Sequence, residues 1–351
     1  MVPPVVRVLG AGIIGLTVAD ELVARGHRVE IVDPAPGSGA SFAAAGMLSP
    51  AGELWYGESE ILTLGRRSAD LWPAFAARLG VSLRTGGTLL AAADHGDLQQ
   101  VERQVTLLEL HGEKPTLLSR RELIAHEPRL GRVVGGALLP DDHSVDPRAV
   151  VAALRAGLAD RLRSEPSPAV AQITVVATGT SLPAAYDGVA GLVRPVRGEI
   201  LRLEVAEEDL PRRTVRAWVH GEQVYLVPRA PRSAHARRAE VVVGATQEER
   251  EAPPTPTVEG VARLLDSARR LMPGLDRAQF REATARDRPG TPDNLPLVGP
   301  TDEPAVLLAA GHFRHGVLLA PLTARLIADH IDSGAVEPAL DPRRFTTRGE
   351  P

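Results

Sequence analysis

The chain has no cysteine. That absence excludes disulfides, thiolate metal sites, cysteine nucleophiles and any cofactor tethered through sulfur. Lysine is nearly missing too. Lys114 is the only one, so arginine carries almost all the positive charge, which reads as an Arg- and Ala-rich compositional bias. No apolar run approaches the ~18 residues of a membrane span. No basic segment followed by an apolar stretch opens the chain, because strand-forming residues begin at Val5. The expectation is a soluble, cytoplasmic protein. A net charge of −4 offers no electrostatic attraction for nucleic acid or an anionic membrane.

The composition that remains is globular, with 44% apolar and 24% charged residues. Neither the 33 glycines nor the 30 prolines suffice for a disordered or fibrous chain. At 351 residues the chain exceeds one ordinary core, which predicts two domains.

The most informative stretch is Val5 to Asp33, which reads as strand, glycine turn, helix, strand, acid. In Gly10-Ala-Gly12-Ile13-Ile14-Gly15 each glycine has a task. Gly10 permits the tight turn, Gly12 lets a pyrophosphate touch the backbone, and Gly15 lets helix pack on strand. The helix start offers free N–H groups and a partial positive charge to a diphosphate. Asp33 follows at roughly the 20-residue spacing of a ribose-binding acid. An acid there favours a free 2′-hydroxyl, hence FAD or NAD over NADP, and leaves those two open.

Further along, Ala40-Ser41-Phe42-Ala-Ala-Ala45-Gly46-Met47 is a small-residue run, either a tightly packed helix or backbone passing close to a flat ligand. Ile61 to Leu79 reads as an amphipathic helix interrupted at Pro73, and Asp97 to His111 as a helix closed by Gly112. Asp146-Pro147 starts a helix with the acid at N-cap, carried by Val150 through Leu162. Ile173 to Thr180, turning at Gly179, is a further parallel strand of the nucleotide sheet. Pro195–Leu203 and Gln223–Pro228 alternate as antiparallel strands do, and Val241–Thr246 joins them. A helix spans Val258 to Leu271. Arg286 to Asn294 reads as a turn-rich loop, Val306 to Ala310 as a last strand, and Val317 to Ile331 as an apolar helix.

Some features read blandly. His312 and His315 are spaced H-x-x-H but lack a carboxylate motif, so no metal is expected. Asp141-Asp142-His143 reads as a loop before the Asp146 cap, Arg229, Arg232, Arg237 and Arg238 as a solvated basic face, and the tail from Asp341 as loose. The strands alternate between two sheet types, which predicts interleaved domains. Residues 1–83, 140–188 and 283–340 form a Rossmann-type α/β unit, and 84–139 and 189–282 an antiparallel-sheet α+β unit, with 341–351 a tail.

Ala45-Gly46-Met47-Leu48, Arg288-Pro289-Gly290-Thr291 and Gly311-His312-Phe313-Arg314 follow the fingerprint in order. In these motifs the chain resembles the FAD-dependent glycine oxidases of thiamine biosynthesis, within the D-amino-acid oxidase group. The resemblance runs from Val5 to about Ile331. It implies a glutathione-reductase-like FAD domain and a substrate domain, with FAD held non-covalently. It implies ADP at Gly10, Gly12, Ile13, Ile14, Gly15 and Asp33, the flavin beside Ala45, Gly46 and Met47, and further cofactor contacts at Ala40, Ser41 and Gly179. The turn His312, Phe313, Arg314, His315, Gly316, Val317 and Leu318 would wrap the flavin's other edge. Arg288 would take the substrate carboxylate and Tyr225 would close over it, with Arg314 and Met47 nearby. On composition alone Arg288 reads as a loop arginine and Tyr225 as a core tyrosine.

Two departures from the family pattern stand out. The connection from Leu162 to Ile173 is a short linker where relatives carry a strand and a β-meander. Gln223 and His315 stand where His and Asn are usual. The resemblance implies oxidative deamination of glycine or a similarly small amino acid, with dioxygen reduced to hydrogen peroxide and no side-chain acid or base. It also implies a homo-oligomer and hand-over of the imine to a thiazole synthase. The alternatives are a D-amino-acid or sarcosine-type oxidase or dehydrogenase, an NAD-dependent dehydrogenase, and a non-catalytic flavoprotein.

Overall fold

A computed structural model describes residues 5–183, 191–230, 237–249 and 252–345. Its first strands are β1 (Val5–Leu9), β2 (Arg28–Val32), β3 (Met47–Leu48), β4 (Leu83–Arg84), β5 (Thr88–Ala92), β6 (Thr116–Ser119), β7 (Gly135–Leu139), β8 (His143–Val145) and β9 (Leu162–Arg163). There follow β10 (Ile173–Val176), β11 (Arg194–Ala206), β12 (Thr214–Val219), β13 (Glu222–Pro228), β14 (Arg238–Gly244), β15 (Gln279–Gly290), β16 (Leu297–Pro300) and β17 (Val306–Ala310). The helices are α1 (Ile13–Ala24), α2 (Ala40–Ala43), α3 (Ser59–Ala69), α4 (Trp72–Leu79), α5 (His95–Leu110), α6 (Arg120–His126), α7 (Pro147–Gly157), α8 (Val258–Leu271) and α9 (Gly316–Ser333).

Three sheets result. The first runs β16-β17-β10-β1-β2-β9, parallel except for the antiparallel edge β16. Val6 and Val8 of β1 point into a core that also takes Leu16, Val18 and Leu22 of α1 and Leu319, Leu322 and Ile327 of α9. The second runs β15-β11-β14-β13-β12-β5-β7-β6. It is antiparallel, as expected, apart from the β12–β5 pair, which is parallel. Leu264, Ala268 and Leu271 of α8 cover one face against Leu201, Leu203, Leu226 and Val241. Val101, Val105 and Leu108 of α5 pack on Leu90, Ala92 and Ala137. A small third sheet, β3-β8-β4, lies where the segment after the fingerprint meets the start of α7.

Several helix starts are closed by side chains. Asp94 accepts from the Asp97 N–H, Asp146 from Arg148 and Thr257 from Gly260, while Ser119 and Glu122 form a capping box. Each such cap contributes ~1 kcal/mol. The starts of α1 and α9, at Gly12 and His315, have no side-chain cap.

The structure corrects several local expectations. Arg286 to Gly290 is not loop but the end of β15, paired along β11 with Arg288 opposite Val196 and Pro289 opposite Pro195. Because β15 is an edge strand, Pro289 can lack its N–H without breaking an interior ladder. His143 is in β8 rather than a loop. Helix α7 stops at Gly157, and Leu162 begins β9 instead. The linker to Ile173 therefore keeps a vestigial strand, pairing Ile31 with Leu162 and Val32 with Arg163. The break between α3 and α4 falls at Asp70–Leu71, just before Pro73. The beginning of the tail is docked, with Arg344 bonded to Asp293 and to the Leu295 carbonyl. Arg232 and the residues beyond 345 lie outside the described residues. Among those described, no helix is long and apolar enough to cross a membrane.

Candidate active site

A cavity of about 520 Å³ runs from the β1–α1 turn to the start of α9, within the ~300–1,000 Å³ of ligand sites. At the nucleotide end, Gly10 has φ +100°, and a Cβ there would come closer than 3 Å to the Ala177 carbonyl. Asp33 accepts from the Ala11 N–H at 2.6 Å and the Ala35 N–H at 2.7 Å, so the acid also braces the glycine turn. Ser41 Oγ accepts from the Ile13 N–H at 2.9 Å. The first turn of α1 stays open to the cavity at Gly12 and Ile14. At Gly12 an added Cβ would meet the Ser41 hydroxyl, which shows how closely the walls converge where a diphosphate would lie. An uncapped helix start and a glycine floor are the donor set a dinucleotide needs, and these residues fit one.

Every cofactor residue expected from the sequence lines this cavity except Gly15. Gly15 is buried in α1, and a Cβ there would collide with the Gly10 carbonyl. Its role is helix–strand packing rather than ligand contact.

A second cavity, about 310 Å³, adjoins the first. Glu53, Tyr225, Arg288 and Arg314 line both, and Met47 lines only the first. Arg288 is fixed from behind: its Nη1 donates to the Thr246 carbonyl at 3.2 Å. Burial draws its pKa down, opposed by the nearby Tyr225 oxygen. Burial likewise raises the Tyr225 phenol, keeping it protonated as a donor. Two glycines create room for this pair. A Cβ at Gly198 would enter the Arg288 guanidinium, and one at Gly244 would enter the Tyr225 ring. Gly198→Ala should therefore tilt Arg288 and raise the KM for a carboxylate substrate roughly tenfold, the ~1.4 kcal/mol of one weakened charged hydrogen bond. The visible spectrum of bound cofactor should not change. Wild-type KM in this variant would show that Arg288 does not depend on the space over Gly198.

Sequence reasoning missed the anion at this junction. Glu53 is buried and forms an ion pair with Arg216, and Arg314 Nε lies 3.4 Å from the same carboxylate. Burial alone would raise its pKa, but the two guanidiniums outweigh it and hold the carboxyl at about 2. Arg314 also faces Glu58 at 3.6 Å and stacks over Trp55. Beneath the loop, Asp142 accepts from the Ala51 and Gly52 N–H groups, and burial pushes its pKa up to about 6. No motif surrounds Glu53; its partner Arg216 is far away in sequence, so only the fold reveals the pair.

His312 and His315 are both buried, and burial lowers their pKa values to about 3 and about 4. Both are neutral at physiological pH. His312 Nε2 pairs with Thr323 Oγ1 at 2.9 Å, and the two rings are not part of a metal-like cluster. The one such group among the described residues is Asp94, Asp97 and His220, and Asp97 there accepts from the N–H groups of His220 and Gly221. Arg229 corrects the expectation of a solvated basic face: it is buried and donates to the carbonyls of Ala45 and Val145.

A family profile described as FAD dependent oxidoreductase (DAO) matches residues 6–330. The bifunctional protein ThiO/ThiG of Trichormus variabilis is 33% identical over 95% of this chain. The chain spans about half (53%) of that longer relative. A Rhizobium etli relative, named provisionally as the thiamine biosynthesis oxidoreductase ThiO, is 35% identical over 92% of this chain and 95% of its own length. Among solved structures, glycine oxidase from Geobacillus kaustophilus superposes with a TM-score of 0.84 at 30% identity, covering 99% of this chain and 100% of that one.

Proposed function

The chain belongs to the DAO family of FAD-dependent oxidoreductases, and from that premise we propose that it oxidises glycine, or an amino acid nearly as small, to the imine, which water converts to glyoxylate and ammonia. FAD is the cofactor, which settles the choice that the fingerprint left open. Bound FAD would supply the two-electron chemistry, a hydride acceptor for the substrate carbon and a route for those electrons to dioxygen, with hydrogen peroxide as the product. The residues present do the positioning. Arg288 binds the carboxylate through a guanidinium fork, which sets the substrate plane as lysine could not. Tyr225 donates from the side, and Met47 and the Ala45–Gly46 backbone hold the opposite wall. Holding the reacting carbon in one orientation supplies most of the rate.

The observation that carries this reading is the junction. The cofactor cavity and the second cavity meet at Tyr225 and Arg288, a phenol and a guanidinium with the donors a carboxylate needs. A sarcosine-type or D-amino-acid oxidase is the second reading, favoured by the 310 Å³ chamber with Trp55, Leu90 and Trp218 in its walls, more room than glycine fills. The fused ThiO/ThiG relative supports a role in thiamine biosynthesis with the imine passed to a thiazole-forming partner.

The test is anaerobic. Glycine added to the yellow holoenzyme should bleach the flavin absorbance, and readmitted air should restore it with one peroxide per turnover. Bleaching by D-alanine or sarcosine alone would move the reading to the second substrate class. No bleaching by any of the three would overturn it.

A further inference from the structure

Arg229 lies just past the end of β13, the strand that carries Tyr225. Residues two apart on a strand share a face, so Tyr225, Val227 and Arg229 point the same way. Val227 belongs to a buried cluster with Ala43, Ala45, Ile200 and Val242, against which Met47 and Tyr225 pack. That face therefore looks at the wall Ala45-Gly46-Met47. Arg229 Nη2 donates to the Ala45 carbonyl at 2.6 Å and Nη1 to the Val145 carbonyl at 3.0 Å. Val145 N–H in turn donates to the Gly46 carbonyl at 2.9 Å. The guanidinium thus pins three segments at one point: the cavity wall, β8 and the Tyr225 strand.

Its charge is incompletely matched. Among the described residues no carboxylate hydrogen-bonds to it. The nearest of those residues in an ion pair, Asp146, is 4.0 Å away and about two-fifths exposed, and among them the buried Nε has no hydrogen-bond partner. Arg202, facing the same region, is already paired with Glu240. Burial lowers the pKa of Arg229 to about 10, which still leaves it charged at neutral pH. A buried guanidinium held mostly by carbonyl dipoles is unfavourable unless charge elsewhere offsets it. Reduction of the cofactor across the Ala45–Met47 wall would bring such a negative charge.

We propose that Arg229 is a positioning residue that locks the Ala45–Met47 wall to the strand bearing Tyr225, and that its incompletely matched charge raises the reduction potential of the FAD held against that wall. The inference rests on FAD binding and not on the choice of amino acid.

The experiment is an equilibrium redox titration of the holoenzyme against a reference dye, with no amino-acid substrate present, so it stands or falls apart from the glycine reading. Arg229→Met should shift the two-electron equilibrium toward oxidised FAD about tenfold, ~30 mV. Arg229→Lys, keeping the charge but not the fork, should stay near the wild-type potential while kcat falls more than KM rises. Asp146→Asn should shift the equilibrium the opposite way about threefold; asparagine caps α7 as well as aspartate, so this variant folds even where Arg229→Met does not. A packing role alone would lower Tm and leave all three potentials alike. Unmoved potentials in Arg229→Met, or in Asp146→Asn where the first variant loses FAD, would overturn the proposal.

Discussion

Replacing Arg288 with alanine should reduce kcat/KM for glycine at least ~100-fold. If Arg288 takes the substrate carboxylate as proposed, two charge-assisted hydrogen bonds, each worth ~1.5–3 kcal/mol, are lost together. Part of that binding is the same in ground and transition states and appears as a higher KM. The rest orients the reacting carbon and appears as a lower kcat. Arg288→Lys should recover the charge but not the plane, restoring KM more than kcat. Neither variant should lose cofactor, because the guanidinium faces the junction and its own anchors are the Thr246 and Arg197 carbonyls. Stopped-flow reduction of the two variants by glycine separates binding from the hydride step. Unchanged kinetics in Arg288→Ala would place the carboxylate on another arginine of the junction, Arg314 or Arg216.

How legible this site was depended on the range of the constraint behind each residue. The βαβ unit could be read because most of its rules are local: Gly10 turns at φ +100°, Gly15 packs on the Gly10 carbonyl, and Asp33 braces the turn, although the same Gly10 also clears the distant Ala177 carbonyl. Arg288 was legible as a motif but its strand was not. The run Arg286 to Gly290 is three charged residues followed by Pro-Gly, which hides a period-two edge strand whose partner β11 lies some ninety positions back. Arg229 was misread because charge predicts exposure on average, and burial of a guanidinium is decided by which carbonyls the fold brings to it. Glu53 was invisible for the same reason.

That hidden anion supports the second large effect. Glu53→Gln keeps the shape of the side chain and removes the charge that balances Arg216 and Arg314. Breaking a buried pair from one side costs ~3–5 kcal/mol, which for a chain of this size is a Tm fall of roughly 4–6 °C. The pH dependence has a definite sign. The folded pKa of Glu53, about 2, lies below its ordinary value of 4.5. The stabilisation is therefore fully present above pH 4.5 and disappears as pH falls through about 2; the shift corresponds to ~3 kcal/mol. Asp142 works in the opposite direction, since its raised pKa makes its ionised form unfavourable in the fold. Only the difference between wild type and variant isolates Glu53. Measured by urea unfolding, that difference should be flat from pH 5 to 8 and narrow below pH 4.5. A gap that stayed constant down to pH 3 would mean the Glu53 carboxylate is not held ionised by its two arginines. In the same variant Arg314 keeps only Glu58 as a carboxylate partner among the described residues and, if Arg288 takes the substrate as proposed, should compete with it, so kcat should fall even at pH 7, where Glu53→Gln remains mostly folded.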